Sequence, residues 1–201
     1  MKLLDYAQDL STILQTCSLR KGEQEADLNL GLNHILEIMT RCKQEERTCF
    51  FIGNGGSASI ASHIALDFWK AAGIRAQHFN DSSLLTCLSN DFSYEEVFSK
   101  PICQFANEHD VLFAISSSGQ SENILNGAKE AQKQGCYVIT LSGFSPNNPL
   151  RKIGDLNLYI DSPLYGPVEI AHSAILHFLI DSFIHKKQQS EKYTKNNCAK
   201  R

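Results

Sequence analysis

Two short stretches carry residues suited to chemistry on a small anion. GNGGS at 53–57 and SSSGQS at 116–121 each end an apolar run and open an amphipathic segment. Small residues let backbone N–H groups converge on one oxygen, and a helix that follows adds the positive end of its dipole. The second stretch adds four hydroxyls in six residues, Ser116, Ser117, Ser118 and Ser121. Neither has the GxGxxG spacing of a dinucleotide site, and no lysine follows the glycines as in a nucleoside-triphosphate loop. A single phosphate, as on a phosphosugar, suits them better.

A second set of residues can move protons or hold a metal. His63 and Asp67 are four apart and share a helix face. In the last apolar segment Glu169 and His177 are eight apart, about two turns, with His172 between them. Should the two faces meet, two imidazoles and two carboxylates could bind a divalent metal such as zinc. The same groups supply a carboxylate base and an imidazole acid. Spacing alone leaves a surface hydrogen bond, a metal site and proton transfer all open.

The elements that must position these groups alternate. TCFFIG, QHFN, DVLFAIS, CYVITLSG and DLNLYID read as strands, and segments of about 10–20 residues between them read as helices. Asn80 or Asp81 can cap the helix SSLLTCLSN. Such alternation predicts parallel strands with right-handed crossovers, covered on both faces. Ligands bind beyond the carboxyl ends of such strands, where both glycine- and serine-rich stretches fall. Ahead of the first strand, residues 3–18 and 24–46 read as two helices separated at Lys21-Gly22. They form an arm over 1–47 whose apolar face needs a partner, such as another subunit. The phosphosugar-binding domain is expected over 48–185 and a basic, disordered tail over 186–201.

Bulk composition narrows the function further. The chain has 201 residues, 42% of them hydrophobic, which suits one folded domain with an appendage. No apolar run approaches the ~20 residues of a membrane span, and the N-terminus lacks a signal-peptide layout. Seven scattered cysteines without a CxxC pair fit reduced thiols in a cytoplasmic protein. Net charge is −3, and the tail from 186 holds six basic residues against one acid. The remaining chain is therefore strongly acidic, without an electrostatic footprint for nucleic acid.

Taken together, GNGGS at 53–57, His63, SND at 89–91, DVLFAISSSGQSENI at 110–124, VITLSG at 138–143 and EIAHSAILH at 169–177 resemble one known family. They resemble the sugar isomerase (SIS) domain proteins, and within them the bacterial phosphoheptose isomerases, over roughly residues 30–185. The resemblance implies a three-layer α/β/α sandwich with a parallel sheet. It also implies a homotetramer with active sites at subunit interfaces. Carried over by position, Asn54, Gly55 and Gly56, with Ser57 beside them, match a substrate-binding loop. Asn90 and Asp91 match a substrate-contacting pair, and Ser116, Ser117, Ser118 and Ser121 match the phosphate loop. His63 and His177 match zinc ligands, His177 doubling as general acid. Asp67 stands where the family has a glutamate that is both ligand and base. Glu169 stands where it usually has a glutamine, contacting metal and substrate.

The activity implied is aldose–ketose isomerisation of sedoheptulose 7-phosphate through an enediol, with one zinc per site and no nucleotide or redox cofactor. The alternatives are a non-catalytic SIS module binding a phosphosugar or a protein, and an isomerase of another phosphosugar.

Overall fold

A computed structural model describes residues 2–198, with side chains as far as Gln189. The elements in order are α1 (Leu3–Gln15), β1 (Ser18–Lys21), β2 (Gln24–Ala26), α2 (Leu28–Gln44), β3 (Thr48–Gly53) and α3 (Gly56–Asp67). Next come β4 (Arg75–His78), α4 (Ser82–Asp91), α5 (Ser99–Phe105), β5 (Val111–Ser116) and α6 (Glu122–Lys133). The chain ends with β6 (Tyr137–Ser142), β7 (Leu156–Tyr159) and α7 (Tyr165–Cys198).

The strands form one sheet in the order β2-β1-β7-β6-β5-β3-β4. The five from β3 to β7 are parallel, because each is reached by a crossover. Successive side chains on a strand face opposite ways, and two cores follow from that alternation. Phe51, Phe113, Ile115 and Leu141 pack under α2, α3 and α7. Phe50, Ile52, Leu112, Ala114 and Val138 pack under α5 and α6. The three-layer α/β/α architecture is thus present.

The sheet is mixed rather than purely parallel. The arm is not only helical: β1 and β2 form a hairpin around Gly22, and β1 pairs antiparallel with β7. These strands are short and polar, and β2 is exposed throughout, so no apolar alternation betrays them. Arg151, 3% exposed, fastens the hairpin by donating to Ser18 Oγ at 2.7 Å and stacking over Tyr159. α1 buries no residue, and Leu3 and Leu4 stay open to solvent.

The last helix departs from expectation twice. Its backbone runs on through Cys198, where a disordered tail is expected from Lys186. Residues 186–198 hold no glycine or proline, and a packed first half nucleates helix that good formers propagate. Residues 199–201 of that tail lie outside the described residues. Tyr165–Gln189 is also long and apolar enough to cross a membrane by length and composition, against the sequence expectation. Half of its most apolar 18 residues are buried against the sheet and α2 and α3, which accounts for its apolar character.

Candidate active site

Strand order makes the site. From β3 the chain crosses outward to β4, then returns to start β5 on the other side of β3. The loops after β3 and β5 therefore leave the sheet side by side and turn to opposite faces. That is the topological switch point where α/β sheets bind ligands. Between them lies a pocket of about 240 Å³ lined by Asn54, Gly55, Gly56, Ser57, Ser116, Ser117, Ser118, Ser121, Tyr165 and Glu169.

The serine loop is braced in a shape suited to an anion. Gly119 takes φ +63°, a conformation open to glycine, and the Ser116 hydroxyl accepts from its N–H at 3.2 Å. Asn148, 1% exposed, lies against Gly119 so closely that a Cβ there would collide with it. Its amide donates to Ser142 Oγ, Gly143 O and Ser145 O, and its Oδ1 accepts from Arg151 N. Ser117 Oγ is buried without a hydrogen-bond partner, and Ser121, the N-cap of α6, makes no side-chain cap bond. A buried hydroxyl left unpaired is costly unless a ligand satisfies it.

The glycine loop is built differently. Gly55 takes φ +54° at the N-cap of α3, and the Glu169 carboxylate lies on Gly56, where a Cβ would have to push that flexible side chain aside. Ser57 is buried. A Cβ on Gly53 would collide with the Ser57 backbone, so the strand-to-helix turn closes tightly there.

Further along the same helix pair, α3 and α7 bring three groups together. His63 Nε2 is 3.3 Å from Asp67 Oδ2, and His177 Nδ1 is 3.9 Å from the same oxygen. The two imidazoles are 5.3 Å apart at their centroids, and the three ligand atoms lie within 4.8 Å of one another. Two nitrogens and a carboxylate in that volume suit a zinc-like ion with an open position. All three are partly open: the side chains are 58%, 24% and 41% exposed for His63, Asp67 and His177.

Glu169 falls outside this cluster. Eight residues of helix put it roughly 12 Å from His177 along the axis and about 80° round it, and as its side chain stands it is not among the three clustered groups. It faces the glycine loop instead. His172 points elsewhere again: it is fully buried, its Nε2–H donates to Ser142 O at 3.1 Å, and burial pushes its pKa down to about 4.

Asn90 and Asp91 do not line the loop pocket. Asn90 sits in an open groove with Leu85, Thr86, Ser89 and Tyr94. It donates to Asp91 Oδ1 at 2.9 Å, and that bond, with a weaker one from Cys87, holds the Asp91 carboxyl below its ordinary range. Tyr165, which also stacks edge-on with Phe144, lines the loop pocket without any sequence signal beyond its type. Tyr94 joins groove to pocket by donating to Asn54 Oδ1 at 3.1 Å.

Residues 13–143 match the family model of the SIS domain. The phosphoheptose isomerase of Coxiella burnetii (strain RSA 331 / Henzerling II) is 32% identical over 153 residues, covering 72% of this chain and 77% of that one. The probable phosphoheptose isomerase of Thermoplasma acidophilum is also 32% identical, over 164 residues, 77% of this chain and 89% of its own. Among solved structures, the phosphoheptose isomerase of Neisseria gonorrhoeae superposes with a TM-score of 0.78 at 24% identity, over 90% of this chain and 94% of that chain. The one from Francisella tularensis gives 0.77 at 23% identity, over 92% and 100%. With the same fold, a match to the SIS domain model and this level of identity, the chain belongs to the phosphoheptose isomerase family of SIS domain proteins.

Proposed function

We propose that this protein is an aldose–ketose isomerase that converts sedoheptulose 7-phosphate to D-glycero-D-manno-heptose 7-phosphate, a precursor for surface polysaccharide. The observation that carries this reading is the convergence of His63, Asp67 and His177 one helix length from a pocket with an unpaired buried serine hydroxyl. Ser116, Ser117, Ser118 and Ser121 hold the phosphate. Asn54, Gly55, Gly56, Ser57 and Glu169 wall the sugar, and Asn90 and Asp91 close on it from the neighbouring groove.

In the reaction, the Asp67 carboxylate takes a proton from C1, next to the C2 carbonyl. A ring N–H of His177 gives a proton to the carbonyl oxygen, and a cis-enediol results. Loss of the C1 hydroxyl proton and return of a proton to C2 give the aldose, with no net change in atoms or electrons. His63, Asp67 and His177 would hold a zinc ion, which supplies Lewis-acid polarisation of the substrate oxygens. Aspartate is one methylene shorter than the family's glutamate, and its shared contact with both histidines keeps its second oxygen free for the proton.

The active form is a cytoplasmic homotetramer with its sites at subunit interfaces. Leu66, Ile170 and Phe178 are exposed on the two helices that carry the triad, and Trp69 in the helical turn Phe68–Ala72 that follows α3. The pocket is smaller than the ~300–1,000 Å³ usual for a small-molecule site, consistent with a wall supplied by a neighbour.

The test is to incubate the protein with sedoheptulose 7-phosphate and zinc and follow aldose formation. Turnover that a chelator removes and zinc restores supports the reading. No turnover from an intact oligomer with bound metal would favour a non-catalytic phosphosugar-binding module.

A further inference from the structure

Asn54 sits at the tip of the glycine loop, yet its side chain is largely committed inside the protein. Its Nδ2 donates to Asn123 Oδ1 at 2.9 Å, and Asn123 Nδ2 donates back to Asn54 Oδ1 at 3.0 Å. Tyr94 Oη gives Asn54 Oδ1 its second donor at 3.1 Å. The amide orientation of Asn123 is fixed independently, because its Oδ1 also accepts from Ile124 N at 3.0 Å. Both lone pairs of Asn54 Oδ1 are thereby used, and one N–H remains for a ligand.

This reciprocal amide pair crosses the switch-point crevice. Asn123 is 2% exposed in the first turn of α6, directly behind the serine loop. Asn54 leads into α3, which carries His63 and Asp67. Tyr94 belongs to the 3₁₀ turn Tyr94–Glu96, which is itself tied to α6 by Asn126 Nδ2 donating to Glu95 O at 3.2 Å. One hydrogen-bond network therefore joins the loop suited to phosphate, the helix suited to proton transfer and the groove of Asn90.

We propose that Asn123 is a positioning residue that sets the distance between the phosphate cradle and the catalytic helix, acting through Asn54 with Tyr94 as a second brace. The inference rests on the isomerase reading. In a sugar phosphate the span from phosphate to reacting carbon is a property of the substrate, so the protein must match it. Displacing a catalytic group by about 1 Å costs on the order of 100-fold in rate. A free phosphate ion has no such span and needs only the cradle.

The experiment compares wild type, Asn123→Ala, Tyr94→Phe and the double variant. It reads kcat on sedoheptulose 7-phosphate and the inhibition constant of inorganic phosphate. Asn123→Ala should lower kcat at least about tenfold and leave the phosphate constant within about twofold of wild type. Tyr94→Phe should lower kcat by roughly threefold alone and add nothing in the Asn123→Ala background, since the brace then holds a loop already released. Equal losses in kcat and phosphate affinity would overturn the proposal, because they signal a damaged helix terminus. Unchanged kcat in Asn123→Ala, or independent multiplication of the two effects, would overturn it as well. Tyr94→Phe removes one oxygen from an exposed ring and keeps the test decisive should Asn123→Ala not fold: wild-type kcat in Tyr94→Phe would then overturn the network. Inactive wild type brings down the isomerase reading and this inference together, whereas active wild type with an indifferent Asn123→Ala brings down only the inference.

Discussion

The two loops at the switch point share a strand end, a helix start and an anion-friendly composition, yet they are finished in opposite ways. The serine loop keeps polar capacity in reserve: Ser117 Oγ has no partner and Ser121 leaves its cap bond unmade. The glycine loop spends its capacity internally: Asn54 is paired to Asn123 and Tyr94, and Glu169 covers Gly56. A carboxylate on one loop disfavours a second anion there, whereas nothing of that charge lines the other wall. On the function proposed, the contrast suits the serine loop to binding the phosphate and the glycine loop to delivering the proton-transfer helix.

The sharpest way to break that division is at the end of the helix the glycine loop launches. Asp67→Asn should cut turnover by roughly 10²–10⁴-fold, the range for losing a general base, while sugar phosphate affinity measured by calorimetry stays near wild type. Metal content measured on the same sample separates loss of the base from loss of the ion.

The cover over the glycine loop has its own handle in His172, which hangs α7 from Ser142 at the end of β6. Its folded pKa of about 4 lies below the ordinary 6.5. Between those values the unfolded chain binds the extra proton, so stability is full above pH 6.5 and falls as pH drops towards 4. The loss from this one group is about 3 kcal/mol by pH 4. His172→Gln, which keeps the donor to Ser142 and cannot titrate, should flatten that limb in urea melts taken across pH.

On the serine side, Gly119→Ala should cost about 1–3 kcal/mol of stability, from its positive φ and the collision with Asn148. It should also weaken inorganic phosphate binding, which Gly56→Ala should not, because the Glu169 carboxylate is the end of a flexible chain that can swing aside. Ser117→Ala should be the mildest change. It removes an unpaired hydroxyl, so thermal stability should hold or rise slightly, while KM increases by roughly tenfold, the worth of one good hydrogen bond to a charged group.

Much of this was legible from residue type and spacing. The serine loop stands out through its hydroxyl density, and the parallel strands through apolar runs that end in glycine or serine. The His63–Asp67 spacing placed both on one face, and the Asp81 cap is made as its position suggests, accepting from Ser83 N and Leu84 N. The hairpin escaped because edge strands of three and four polar residues have no inward face to display. Spacing groups Glu169 with the metal set, whereas its carboxylate lies on Gly56, a contact that no spacing rule records. Asn123, Asn148 and Tyr94 were silent for a different reason: each acts through one partner distant in sequence, and no local pattern records a single long-range hydrogen bond.

The most direct test of the division of labour measures kcat and equilibrium affinity for sedoheptulose 7-phosphate on matched preparations of Asp67→Asn and Ser117→Ala. The account predicts that Asp67→Asn loses turnover and keeps affinity, and that Ser117→Ala loses affinity and keeps most of its turnover at saturation. Loss of the same parameter in both variants would contradict it.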